Sequence, residues 1–307
     1  MSSQSTYRAN GKLLLTGEYL VLHGAKAIAL PLNVGQRMVV SEVDNPQTII
    51  WQANFQDEIW VKCILNPVDF RVLETSDLEK SDVLRQLFKT IKTLDQRFAL
   101  QPGMKFETTL EANPEWGFGS SSTLISLLSQ WAEIDPFRLN ELVFSGSGFD
   151  IACATASGPI MYVRNKLTEP VDLDYLFADQ LFLVYSGKKK GTAQEVRSFL
   201  NKKVVSEQKI TEMNVLSEKI ASCSSDQSEF NRLIQDHEKL IGKLIGKNPV
   251  KDEFFPNFKG EIKSLGAWGG DFYLVSTQLP FLEVKKYFEN KGLTTVFRWD
   301  DLILKRQ

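Results

Sequence analysis

Five short segments of this chain carry residue types that phosphate or proton chemistry uses. The first is PEWGFGSSSTL, Pro114 to Leu124, which sets two glycines and three consecutive serines before an apolar, helix-like run. Glycine lets the backbone approach an anion closely and adopt positive φ. A helix start adds unpaired N–H groups and the positive end of the helix dipole. The same residues also describe a plain turn in which Ser120 or Ser121 caps the helix. Taken alone, the stretch is balanced between a cap and a cradle for a nucleotide triphosphate. It is not a Walker A loop, because no Gly-Lys-Ser/Thr follows.

Four further segments have a chemical and a bland reading each. In GKLLLTGEYLVLHG, Gly11 to Gly24, Lys12 can neutralise a phosphate or lower the pKa of a substrate hydroxyl. A solvated lysine at a strand start is its bland reading, and the rim of a turn is that of Glu18 and Tyr19. In SGSGFDIACA, Ser145 to Ala154, Asp150 among small residues can accept or position a hydroxyl proton, or cap a helix. GAWGGD, Gly266 to Asp271, can abut phosphates or form a tight hairpin. SGKKKGTAQEV, with Lys188 to Lys190 and Thr192, can bind an acidic substrate, although a lysine run is more often a solvated edge.

The elements that must position these segments follow from periodicity. Residues 13–64 read as β-rich, with short strands around Thr16-Gly17-Glu18, then Ala27 to Leu32, Arg37 to Val43, and a hairpin of Thr48–Trp51 with Glu58–Ile64. From Ser81, a plausible N-cap, Val83, Leu84, Leu87, Phe88, Ile91 and Leu94 fall at helical spacing. Met104 to Leu110 alternates as a strand, and helices follow from Ser121 to Ala132 and from Pro136 to Phe144. Strands are expected at Pro159–Val163, Leu181–Tyr185, Phe272–Ser276 and Thr294–Trp299. Helices are expected at Ser206–Ala221, Ser228–Ile245 and Pro280–Lys291. Strands and helices that do not alternate strictly argue for an α+β fold.

Composition narrows the function classes. The 307 residues are 43% hydrophobic and 24% charged with net charge -2, which suits a globular protein and announces neither nucleic acid nor a membrane surface. Three scattered cysteines, Cys63, Cys153 and Cys223, with only His23 and His237, argue against a zinc site or a disulfide framework and suit a reducing cytoplasm. The N-terminus lacks the pattern of a signal peptide, and no apolar run is long enough to cross a bilayer.

Order and spacing shift the balance among these readings. The chain resembles the GHMP kinase superfamily through GKLLLTGEYLVLHG, PEWGFGSSST, SGFD (Ser147 to Asp150) and GAWGGD, in the family's order and across nearly the whole chain. The resemblance implies an α+β GHMP kinase fold: an N-terminal domain over 1–175 like ribosomal protein S5 domain 2, and a ferredoxin-like C-terminal domain over 176–307. It implies ATP and Mg2+ as cofactors, with Gly117, Gly119, Ser120, Ser121 and Ser122 on the triphosphate and Ser120 and Glu141 at the metal. Asp150 and Lys12 would be catalytic. Glu18, Tyr19, Ser147, Gly148, Lys188, Thr192, Gly266, Ala267 and Gly269 would lie on the substrate side. Tyr19 stands where mevalonate kinases usually carry histidine, and Trp268 replaces a glycine of the last motif.

The expected activity is phosphorylation of a small acidic alcohol or phosphate ester, of the mevalonate or phosphomevalonate kind, by a cytoplasmic monomer or homodimer with no nucleic-acid or membrane partner. A homoserine or sugar kinase, a diphosphomevalonate decarboxylase and a non-catalytic nucleotide-binding protein stay open as alternatives.

Overall fold

The computed structural model describes residues 4–45, 47–95, 103–188, 205–266 and 268–306. Two compact units interleave along the chain: Met1–Gly11, Val34–Pro114 and Phe118–Thr155 form one, and Lys12–Asn33, Glu115–Gly117 and Ala156–Gln307 form the other. Each unit is assembled from three stretches of the chain.

The first unit carries β3 (Ile49–Phe55), β4 (Glu58–Leu65), β5 (Val72–Thr75) and β6 (Met104–Leu110), with the C-terminal part of β2 (Ala27–Glu42). Their hydrogen-bonded order is β5-β4-β3-β6-β2. β3 and β4 form the expected antiparallel hairpin, turned by Gln56 and Asp57 at positive φ. β3 and β6 pair in parallel, and β6 is antiparallel to β2 over Gln36–Glu42. Helices α1 (Leu78–Leu94), α2 (Ser120–Ala132), α3 (Pro136–Val143) and α4 (Phe149–Thr155) also belong to this unit. Its core is aromatic: Phe106 stacks on Trp51 and meets Trp131 edge-on at 4.7 Å between centroids. Such pairs add about 0.5–1.5 kcal/mol each beyond their buried area.

Helix α1 starts earlier than its periodicity suggests. Asp77, not Ser81, is the N-cap, and its carboxylate accepts the Lys80 N–H at 3.0 Å. Ser81 is buried in the first turn against the Thr75 hydroxyl.

In the second unit, Ala27–Ala29 of β2 pair with β7 (Ile160–Val163), and β7 pairs with β8 (Leu167–Pro170). A separate antiparallel sheet has the order β10-β11-β9-β12, from β10 (Glu261–Leu265), β11 (Phe272–Ser276), β9 (Leu181–Tyr185) and β12 (Val296–Arg298). Its helices are α5 (Glu207–Ser222), α6 (Gln227–Ile245), α7 (Val250–Phe254), α8 (Phe281–Glu289) and α9 (Trp299–Leu302). Helix α6 is capped by Asp226 at its start and closed by Gly246 in the left-handed region. The first strand, β1 (Gln4–Leu14), ends before the turn that carries Glu18, and Leu20–His23 is a 3-10 turn, so of the two readings of these apolar runs the strand with a tight turn is the one observed. Among the described residues, no helix is long and apolar enough to cross a membrane.

Candidate active site

In the first unit, the FGSSS segment, Phe118 to Ser122, leads into α2 without a side-chain cap from Gly119. Gly119 is the N-cap residue at φ 90°, and it has no side chain with which to cap the first turn. This overturns the expectation that Ser120 or Ser121 caps the helix. The hydroxyl of Ser122, buried, donates instead to the Gly119 carbonyl at 2.9 Å. Thr123, also buried, anchors the helix by donating to Gln36 Oε1 at 2.7 Å. Ser120 is half-buried and Ser121 exposed. The contrast with α1, α3 and α6 is direct, because Asp77, Asp135 and Asp226 each accept a backbone N–H of the helix they precede. A helix start with its N–H donors left uncapped, behind left-handed glycines, is the donor set an anion uses.

The SGSGFD segment uses positive φ at Ser145, Gly146 and Gly148 to enter α4. Asp150 lies half-buried in the first turn, its Oδ1 accepting the Ile151 N–H at 3.1 Å. Ser147 is half-buried and Gly148 buried. Glu141, expected at a metal, is exposed on α3 and bonded to Arg138 at 2.6 Å. Among the described residues, no cluster of three or more His, Cys, Asp or Glu can hold a metal ion.

In the second unit, three segments far apart in sequence converge on Gly117. Lys12 Nζ donates to the Gly117 carbonyl at 2.8 Å. Asp271, from the end of GAWGGD, packs so closely that a Cβ on Gly117 would lie 2.3 Å from its carboxylate oxygen. With φ at 70°, this position is closed to other residues both sterically and conformationally. Asp271 was not singled out from sequence, since nothing in a Gly-Gly-Asp turn says where its carboxylate points.

Behind this point lies a buried polar cluster. Glu18 is 4% exposed rather than at a rim, and it forms an ion pair with the wholly buried Lys263. Lys263 also donates to the Ser264 carbonyl at 2.7 Å. His237 Nε2 lies 2.9 Å from Glu18 Oε2 and accepts the Gly17 N–H at 3.2 Å. Glu238 accepts N–H groups from Ser264 at 3.1 Å and Val250 at 3.3 Å. Burial raises the Glu18 pKa, but the charges of Lys263 and His237 outweigh it and hold the carboxyl below its ordinary value. Burial, with the Lys263 charge, lowers His237 below its ordinary value against the opposing pull of Glu18. Burial pushes Glu238 up to about 8, aided by the charge of Glu18 and opposed by Lys263.

Tyr19 links the first and last motifs. It is the centre of a tight three-residue turn, φ 62° and ψ -43°, closed by the Leu20 N–H on the Glu18 carbonyl at 2.7 Å. This conformation costs a bulky residue on the order of 1–3 kcal/mol. The strain is held by burial and by the Tyr19 hydroxyl, which accepts the Trp268 N–H at 3.0 Å. The glycine turn is further pinned by Gly269 N–H on Ser264 Oγ at 2.8 Å, with Gly266 and Gly269 at positive φ. Lys188 is exposed at the end of β9; Lys189, Lys190, Thr192 and Ala267 lie outside the described residues. Lys263, His237 and Glu238 were missed from sequence because single polar residues inside apolar patterns read as surface positions.

For a triphosphate, the start of α2 and the Ser120 and Ser121 hydroxyls of the first unit supply suitable donors. For Mg2+ carried on phosphates, one or two protein oxygens suffice, and the Ser120 hydroxyl can be one of them.

No family model matches the sequence, and no curated protein matches it either. Solved structures do. A mevalonate kinase crystal structure aligns with 99% of this chain and 100% of its own at TM-score 0.70 and 18% identity. Streptococcus pneumoniae phosphomevalonate kinase in complex with phosphomevalonate and AMPPNP aligns over 96% and 99% at TM-score 0.72 and 15% identity. Lactococcus lactis galactokinase complexed with galactose aligns over 99% and 94% at 0.68 and 11%. The chain has the α+β fold of the GHMP kinases.

Proposed function

We propose that this protein is an ATP-dependent small-molecule kinase that transfers the γ-phosphoryl group to the hydroxyl or phosphate of an acidic acceptor of the mevalonate or phosphomevalonate kind. The observation that carries the reading is the convergence of Lys12 and Asp271 on Gly117, which joins the first, second and last glycine-rich motifs at one backbone position. A hairpin or a helix cap does not require that convergence.

Phosphoryl transfer needs positioning and charge neutralisation more than covalent chemistry. The N–H groups at the start of α2, with the Ser120 and Ser121 hydroxyls, hold the triphosphate. Lys12, tethered to the Gly117 carbonyl, presents positive charge to the transferred group. Mg2+ supplies the remaining neutralisation when it is bound with the nucleotide. Asp150 orients an acceptor hydroxyl and takes its proton as the new O–P bond forms and the bond to the β-phosphate breaks. The buried Glu18, Lys263 and His237 hold Tyr19 and the Gly266–Asp271 turn and do not touch the reacting atoms.

The test is an acceptor screen with ATP and Mg2+, measuring ADP release with mevalonate, phosphomevalonate, homoserine and galactose. Acceptor-dependent ADP release with mevalonate or phosphomevalonate is expected. ADP release only with homoserine or galactose overturns the acceptor class, and none with any acceptor overturns the kinase reading.

A further inference from the structure

The second unit contains a cavity of about 1230 Å³ that the proposed transfer chemistry does not use. Five lysines line it: Lys188, Lys239, Lys243, Lys247 and Lys291, all exposed at their side of the wall. Lys239 and Lys243 stand four residues apart on α6, and Lys247 follows at the same interval just past the Gly246 cap. Like charges at this spacing repel and weaken a helix. Among the described residues, none of the five takes part in a salt bridge, and Glu253 is the one carboxylate on the cavity wall. A chain of net charge -2 has no general surplus of lysine to explain the cluster. The floor is of different chemistry. Trp268, Phe255 and Tyr273 are buried, and Lys291 lies over the Phe255 ring at 5.7 Å from its centroid.

We infer that this cavity binds a small multivalent anion, phosphorylated or polycarboxylated, with an apolar or planar body. The lysines meet the charges, and the aromatic floor meets the body. Burying one phosphate among unpaired ammonium groups relieves their mutual repulsion, so the cluster gains more from a multivalent ligand than from a monovalent one. Trp268 and Gly269 line the cavity and also belong to the turn that ends at Asp271, so an occupant touches the turn directly. The binding does not depend on the kinase reading. Its ligand has two possible sources, the acceptor of the transfer reaction or a separate effector.

Pyrophosphate, titrated calorimetrically into the full chain without nucleotide or Mg2+, is the probe. Saturable binding is expected, weakened about tenfold or more in Lys243→Glu/Lys247→Glu. It should be unchanged in the charge-matched control Lys62→Glu/Lys89→Glu and in Lys12→Met. Absent binding, equal loss in the control, or loss in Lys12→Met with retention in Lys243→Glu/Lys247→Glu would each overturn the inference. Phenyl phosphate should bind more tightly than inorganic phosphate; equal affinity overturns the role given to the aromatic floor. Where the acceptor screen has found a substrate, a raised acceptor KM in Lys243→Glu/Lys247→Glu assigns the cavity to the acceptor. An unchanged KM with lost pyrophosphate binding assigns it to an effector. Calorimetry reads the site even where the screen finds no acceptor, so the two proposals fail separately.

Discussion

The polar groups of the two units are arranged in opposite ways. In the second unit Glu18, Lys263, His237 and Glu238 are buried and turned toward one another and toward backbone N–H groups. In the first unit α2 begins without a side-chain cap, and Ser120, Ser121 and Asp150 are half-buried or exposed. Buried, paired groups hold a conformation, whereas half-open donors and carboxylates are placed to meet a ligand. On the proposed function, the conspicuous ion pair does structural work and the less conspicuous helix starts do the chemistry.

The comparison breaks or sharpens most clearly at Asp150. Asp150→Asn should cut turnover roughly 10²–10⁴-fold with little change in Tm and with ATP binding retained. Steady-state kinetics and a melting curve check both halves, and unchanged turnover removes Asp150 from the mechanism. On the other side, Lys263→Met leaves Glu18 buried without its ammonium and should destabilise by roughly 3–5 kcal/mol. Adding Glu18→Gln should recover part of that loss in denaturant titrations; no recovery would mean the pair is not what holds the turn.

The pH dependence separates the two buried glutamates. The Glu238 pKa is raised to about 8 in the fold, so its folded form binds more protons than its unfolded form. Its contribution to stability is complete below the ordinary carboxylate pKa near 4.5 and is lost as pH rises toward 8. Glu18 is shifted the other way, so its contribution is present above that value and lost on acidification. Melting temperatures from pH 5 to 9 should fall for the wild type, and the slope should flatten in Glu238→Gln. An unchanged slope would place the titration elsewhere.

The smallest effects concern the helix starts. Asp77→Ala removes a cap and should cost about 1 kcal/mol. Ser121→Ala removes none and should stay within about 0.5 kcal/mol, while raising the KM for ATP. A stability loss as large as that of Asp77→Ala would show that Ser121 has a capping role after all.

Much of the fold was readable from local pattern. β6, β9 and β11 lie where alternation or an apolar run placed them, and α2, α3, α5 and α6 lie within a residue or two of theirs. What misled was chemistry that tertiary contacts override. Ser81 looks like a cap, but Asp77 four residues earlier is the residue whose carboxylate accepts the Lys80 N–H. Leu13–Leu15 and Tyr19–Leu22 read either as two strands or as a strand and a tight turn, and the burial of Tyr19 with its hydrogen bond to Trp268 selects the turn. β8 was not anticipated because Thr168, Glu169 and Pro170 carry no alternating apolar pattern.

By itself, the sequence determined the α+β class, most element positions and the four motifs that resemble the GHMP kinases, because periodicity and glycine placement are local properties. Only the tertiary structure decided that no serine caps α2, that Glu18 is an interior ion-pair partner and that Asp271 closes on Gly117. It alone also gathered five lysines around one cavity. The last three depend on residues tens to hundreds of positions apart, and burial and charge pairing arise only once the chain has folded them together.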